Sequence, residues 1–167
     1  MKRETRLQHP PEVEIPADNH PLNLPIQQNV KWTLPTVEDT VRVARGERPG
    51  FFYSRLANPG TRQLELALAE LQGRDDCLTS ASGINAITQL LLALTRAGDH
   101  VVLFVEGYGP TRQFVTGMLA GYGVSHSLLP LGDLEALRAT LAARPVKLVF
   151  FESPTTPAGK VADIAAI

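Results

Sequence analysis

Ser82-Gly83-Ile84, inside the run Thr79-Ser80-Ala81-Ser82-Gly83-Ile84-Asn85-Ala86, puts small and polar residues directly before an apolar pattern of helical period. A helix opened there aims unsatisfied first-turn N–H groups and the positive end of its dipole at whatever lies in front of it. Small side chains let an anion such as phosphate approach the backbone, so the run has the makings of an anion cradle. A plain helix cap has the same composition, and only the surroundings separate the two. Tyr108, in Glu106-Gly107-Tyr108-Gly109-Pro110-Thr111-Arg112, stands between glycines that leave its ring free. It can stack on a planar heterocycle or pack on the helix that follows. Glu152, in Glu152-Ser153-Pro154-Thr155-Thr156-Pro157, sets a carboxylate at the end of the apolar run Leu148-Val149-Phe150-Phe151, either as a working acid or as a strand-end cap.

The elements that must position these groups are legible from about Thr61 onward. Leu64, Leu66, Ala67, Leu68 and Leu71 predict an amphipathic helix ending at Gly73, and a short strand over 76–79 leads into the cradle. The helix after the cradle runs through Leu94 and closes at Gly98. Strands are expected over His100 to Val105, Gly123 to Leu129 and, buried, Val146 to Phe151; helices over Thr111 to Ala120 and Leu134 to Ala142, with Asp163 capping one more. This alternation implies right-handed βαβ crossovers and a mainly parallel sheet, whose ligands sit at the carboxyl ends of the strands. The cradle, Tyr108 and Glu152 each follow an expected strand, which argues for one shared site.

Ahead of this lies different material. Pro10, Pro11, Pro16, Pro21, Pro25 and Pro35 predict an extended arm to about Pro35, disordered or laid on a neighbouring subunit, with Trp32 as its residue to bury. Thr36 then caps a short helix with Val37, Val41 and Ala44 on one face and Gly46 as the stop. Arg48 to Gly60 reads as loop, with Pro49-Gly50 and Asn58-Pro59-Gly60 as turns.

At 167 residues and 44% apolar content the chain can build a real core. Sixteen basic and seventeen acidic residues, a formal net charge of −1, give no footing to a nucleic-acid or anionic-membrane partner. Twelve of the basic residues are Arg and only four are Lys: Lys2, Lys31, Lys147 and Lys160. The lone Cys77 excludes an internal disulfide or a cysteine-rich metal site, fits a reducing compartment, and at the head of an apolar run is expected to be buried and inert. No apolar h-region or spanning segment is present, so a soluble, cytoplasmic protein is expected.

Taken together, Tyr53-Ser54-Arg55 with Asn58-Pro59, Ser82-Gly83-Ile84, Tyr108-Gly109-Pro110-Thr111-Arg112 with Phe114, and Glu152-Ser153-Pro154 resemble, in order and spacing, the pyridoxal-phosphate enzymes of cysteine and methionine metabolism. The similarity runs from about Asn19 to the end. It implies the fold type I of pyridoxal-phosphate-dependent transferases, the aspartate-aminotransferase-like α/β large domain, here incomplete. It divides the chain into an arm, short helix and interface loop over 1–60 and the first part of the cofactor-binding domain over 61–167. By this resemblance the N–H groups of Gly83 and Ile84 hold the phosphate of pyridoxal 5′-phosphate, with Ser82 forming the turn. Tyr108 stacks on the pyridine ring, and Glu152 is the supporting strand-end acid. Tyr53 and Arg55 reach across a dimer interface to the neighbouring subunit's phosphate, chemistry suited to a neutral donor and a bidentate fork. The complete family forms homo-oligomers, dimers of dimers, acting on sulfur amino acids such as cystathionine; no nucleic acid, membrane or metal is implied.

The family also needs a Schiff-base lysine and an acid beside the pyridine nitrogen, both further along than Glu-Ser-Pro. None of the four lysines substitutes: Lys2 and Lys31 are in the tail and arm, Lys147 precedes a strand at the opposite sheet end, and Lys160 matches a non-covalent family lysine and reads as solvated. The expectation is a chain truncated before its catalytic lysine and inactive alone. Tyr108-Gly109-Pro110-Thr111-Arg112 with Phe114 resembles the cystathionine β-lyases, which release homocysteine, pyruvate and ammonia in transsulfuration and methionine biosynthesis. Asn58-Pro59 is more typical of the γ-synthase and γ-lyase branch, while Thr156, where that branch carries Asn, and Gly60, where the family has Thr, depart from it. Besides the lyase reading stand a non-catalytic remnant that binds cofactor weakly or pairs with full-length subunits, and an unrelated nucleotide-binding domain, for which the glycine motifs are missing.

Overall fold

The computed structural model describes Pro16, Asp18, Leu22 and residues 25–167; most of the expected arm, including Lys2, Pro10, Pro11 and Pro21, lies outside them. The chain forms two compact units, one ending at Thr79 and one from Ser80 to Ile167. Among the described residues no helix is long and apolar enough to cross a membrane.

In the first unit, the described part of the arm lies on its own chain. Ser54 N–H donates to Val30 O at 2.9 Å and Trp32 N–H to Phe52 O at 3.2 Å, and the Trp32 and Phe51 rings pack with centroids 5.8 Å apart. Helix α1 (Val37–Ala44) is capped by Thr36, whose hydroxyl accepts from Asp39 N–H at 3.0 Å, and the chain turns off at Gly46 with φ of 72°. Helix α2 (Pro59–Leu71) starts earlier than its apolar period suggests. Asn58-Pro59-Gly60 is its entry rather than a turn: Asn58 Oδ1 accepts from Gly60 N–H at 2.9 Å, and Pro59 occupies the first helical position, where a missing N–H is harmless. The strand expected over 76–79 does not form. Among the described residues no strand pairs with it, and the Glu65 carboxylate takes the Thr79 N–H at 3.1 Å in place of a ladder partner. Cys77 is a free, half-buried thiol.

The second unit opens with α3 (Gly83–Leu94), followed by β1 (His100–Phe104), the short α4 (Gly109–Gln113) that widens into a π-helical turn over Phe114–Leu119, β2 (Ser125–Leu129), α5 (Leu134–Ala143) and β3 (Leu148–Phe150). The sheet order is β2-β1-β3, all parallel, with Val101 opposite Leu148 and His126. The period of two along β1 sorts its side chains. Val101 and Leu103 pack with Leu91, Val115 and Leu119 on one face, while Val102 and Phe104 pack with Leu137 on the other. Both faces of β1 are therefore covered, as its unbroken apolar run requires. β3 is half-buried rather than buried because, among the described residues, it is an edge. On the other side of β1, its His100 bridges Ser125 Oγ (2.8 Å) and Ser127 Oγ (2.9 Å) of β2, fixing the register of β1 on β2.

Candidate functional site

β1 is the central strand, and the connections leaving it and β2 lay their helices on opposite sheet faces. A crevice is expected at the carboxyl ends around such a reversal. The structure has one: an open hollow of about 450 Å³ lined by Ser82, Gly83, Ile84, Ile87, Tyr108, Glu152 and Thr156. Five of the sequence-expected residues thus come together around one space, drawn from the start of α3, the turn after β1 and the turn after β3.

Each is held for a stated reason. Ser82 is the N-cap of α3; its Oγ accepts from Asn85 N–H at 3.2 Å and its carbonyl from Ala86 N–H at 3.0 Å. That leaves the N–H groups of Gly83 and Ile84 with no protein acceptor among the described residues. A Cβ built on Gly83 meets nothing within 4 Å, so neither packing nor a positive φ demands glycine there. What the missing side chain provides is room in front of two free donors at a helix N-terminus, which suits a phosphate.

Tyr108 precedes α4 and is 40% exposed. Its N–H donates to Glu152 Oε1 at 2.9 Å, so the carboxylate at the end of β3 holds the loop at the end of β1. Glu152 therefore acts on the wall opposite it as well as lining the hollow. Thr156 follows the buried Thr155, whose Oγ1 accepts from Lys160 N–H at 3.1 Å within a tight turn. Lys160 is not simply solvated: its Nζ pairs with Glu106 Oε1 at 2.9 Å. Lys147 sits at the opposite, amino end of the strands, its N–H donating to His100 O at 2.8 Å, and no lysine lines the hollow among the described residues. Asp163 accepts from Ala166 N–H at 3.2 Å and caps a single turn.

Tyr53 and Arg55 belong to the first unit, where the Arg55 guanidinium lies 5.0 Å from the Tyr53 ring centroid. Sequence reading missed Ile87, whose one-turn spacing from Ile84 was the available signal, and Glu106, whose partners are 25 and 54 residues away and leave no local trace. Glu106 is held below the usual carboxylate range, first by its bond from Lys160 and then by the Leu131 N–H. His100 is held below the ordinary imidazole value, chiefly by burial and then by the charges of Arg144 and His126.

A capped helix with free N–H groups, an aromatic wall and a carboxylate, gathered at the strand ends of a doubly covered parallel sheet, define an α/β domain with a crevice fit for a flat ligand bearing a phosphate. Residues 10–167 match the model of the Cys/Met metabolism PLP-dependent enzymes, and the chain belongs to that family. Its cofactor is pyridoxal 5′-phosphate. The chain is 38% identical over 143 residues to the L-methionine γ-lyase of Pseudomonas putida, covering 86% of this chain and 36% of that protein. It is 38% identical over 122 residues to a probable cystathionine γ-synthase of Herpetosiphon aurantiacus, covering 73% and 38%. A putative O-acetylhomoserine (thiol)-lyase of Campylobacter jejuni, solved with N′-pyridoxyl-lysine-5′-monophosphate, superposes with a TM-score of 0.76 at 28% identity, covering 84% of this chain and 34% of that one. The chain spans a little over a third of the length of these two curated relatives.

Proposed function

We propose that this chain supplies the phosphate cradle and ring wall of a pyridoxal-phosphate-dependent enzyme that breaks a carbon–sulfur bond in a sulfur amino acid. The observation that carries the reading is the pair of unclaimed N–H groups, Gly83 and Ile84, on the same hollow as Tyr108 and Glu152. Gly83 and Ile84 would donate to phosphate oxygens, Ser82 would fix the turn that aims them, and the Tyr108 ring would cover one face of the pyridine. Glu152 would keep that ring in place through the Tyr108 N–H. In a homo-oligomer Tyr53 and Arg55 would bind the phosphate of the neighbouring subunit. The cofactor, once bound, supplies the electron sink for bond breaking at the substrate α-carbon. The residues lining the hollow would bind and orient; among the described residues none of them is a lysine that could move the proton.

The Tyr108-Gly109-Pro110-Thr111-Arg112 motif supports β-elimination, in which cystathionine and water give homocysteine, pyruvate and ammonia. A γ-elimination or γ-replacement reading has its own support, since the P. putida and H. aurantiacus relatives are γ-enzymes. The test is to feed cystathionine to a protein that carries this chain together with a Schiff-base lysine. Pyruvate with homocysteine supports the β reading, and 2-oxobutyrate with cysteine supports the γ reading. For the 167-residue chain alone we expect no turnover, and thiol release from cystathionine by that chain with added cofactor would overturn this.

A further inference from the structure

Glu106 does not line the hollow, yet it ties together the segments that do. It lies on the turn leaving β1, two residues before Tyr108, with its side chain only 15% exposed. One carboxylate oxygen, Oε2, accepts the Leu131 N–H at 2.8 Å, and the other accepts Lys160 Nζ at 2.9 Å. Lys160 is itself built into the turn after β3: Thr155 N–H donates to Lys160 O at 2.9 Å, and Gly159 N–H donates to Thr155 O at 2.8 Å. Thr155 is 4% exposed, and the next residue, Thr156, is a wall of the hollow. The turns after β1, β2 and β3 thus meet on one carboxylate. A second tie between the first and third of them is the Tyr108 N–H to Glu152 bond at 2.9 Å.

We propose that Glu106 is a positioning residue: by pairing with Lys160 it fixes the separation between the Tyr108 wall and the Thr156 wall, and with it the gap a flat ring must enter. The proposal rests on reading the hollow as the cofactor site. A hollow closed by loops alone would vary in width, and affinity for a rigid planar ligand depends on walls that are already in place. The Glu106 carboxylate is sheltered, but the Lys160 side chain is 57% exposed, so the pair is partly screened and braces the loops only modestly, together with the Leu131 N–H bond on the same carboxylate.

The test uses amide hydrogen exchange of the 167-residue chain with Glu106→Gln, Lys160→Met, the double variant, and Lys160→Arg, which keeps the cation. Glu106→Gln keeps an oxygen for the Leu131 N–H and removes only the charge facing Lys160. Glu106→Gln and Lys160→Met are each expected to speed exchange at Tyr108 and at Gly159 together, by about fivefold, the double no more than either single, and Lys160→Arg to keep protection at both. If Lys160→Met loosens Gly159 while Tyr108 exchanges as before, or if Lys160→Arg loosens both as much as Lys160→Met, the brace is overturned. Titration with pyridoxal 5′-phosphate and with inorganic phosphate separates the two readings. Weakening of pyridoxal-phosphate affinity in Glu106→Gln by about fivefold, with inorganic phosphate affinity kept, supports the positioning role. Equal pyridoxal-phosphate affinity in both proteins overturns it. Coupled loosening in a chain whose Gly83 and Ile84 amides ignore both ligands refutes the cofactor reading and leaves the brace standing.

Discussion

Glu152→Ala removes the acceptor that holds the Tyr108 loop, and the structure gives the size of the effect. The bond is 2.9 Å long, accepts on a carboxylate and spans 44 residues. Hydrogen bonds to charged groups contribute about 1.5 to 3 kcal/mol when water is kept out. Tyr108 is 40% exposed, so water can take over its N–H once the carboxylate is gone, and the loss falls to about 1 kcal/mol. With a urea slope of about 2 kcal/mol per molar, the unfolding midpoint should drop by about 0.5 M. Glu152→Gln keeps an acceptor oxygen and loses only the charge, so its drop should be about half as large. The assay is urea unfolding of the chain followed by circular dichroism, with exchange of the Tyr108 amide as the local probe. If Gln and Ala destabilise equally, or if the Tyr108 amide exchanges at the wild-type rate in Glu152→Ala, the bond does not hold the loop and the reasoning fails.

Three further outcomes follow from the same geometry. Gly83→Ala should leave stability within about 0.5 kcal/mol, because its new Cβ meets nothing within 4 Å, while affinity for inorganic phosphate falls; a destabilised chain in urea, or unchanged affinity, contradicts the cradle. Thr111 is 1% exposed and its hydroxyl has no partner among the described residues, so Thr111→Val should match or exceed wild-type stability, by up to about 1 kcal/mol; a loss of that size would reveal an acceptor for the hydroxyl. His100 is buried and its proton affinity is lowered, so the unfolded chain takes up the proton first. Its contribution to stability is whole above about pH 6.5 and is lost as pH falls below that value. Urea midpoints should therefore decline between pH 7.5 and pH 5.5, and His100→Gln should flatten the decline; an equal slope in both proteins would assign the effect elsewhere.

The sequence carried those parts of the fold that rest on local chemistry. His100-Val101-Val102-Leu103-Phe104 is a strand because an unbroken apolar run suits a strand covered on both faces, and Thr36 and Ser82 sit where caps must sit. The expected strand over 76–79 failed because a strand needs a neighbour, and Glu65 satisfies Thr79 instead. Asn58-Pro59-Gly60 misled because asparagine and proline open helices as readily as they make turns. Phe114–Leu119 was legible as helix but not as a π-helical turn, since the apolar period does not separate the two bonding patterns. That Gly83, Tyr108 and Glu152 would share one hollow was readable from type and position. Their mutual fastening was not: the Glu152 bond to Tyr108 and the Glu106 pair with Lys160 join residues 44 and 54 apart.

The most direct test of the cradle is a nuclear magnetic resonance titration of the nitrogen-15-labelled chain with pyridoxal 5′-phosphate. The Gly83 and Ile84 amides are expected to shift saturably, with Tyr108 moving in step and inorganic phosphate reproducing the first two without the third. Saturable shifts confined to other residues, or none at Gly83 and Ile84 while the cofactor binds, would contradict it.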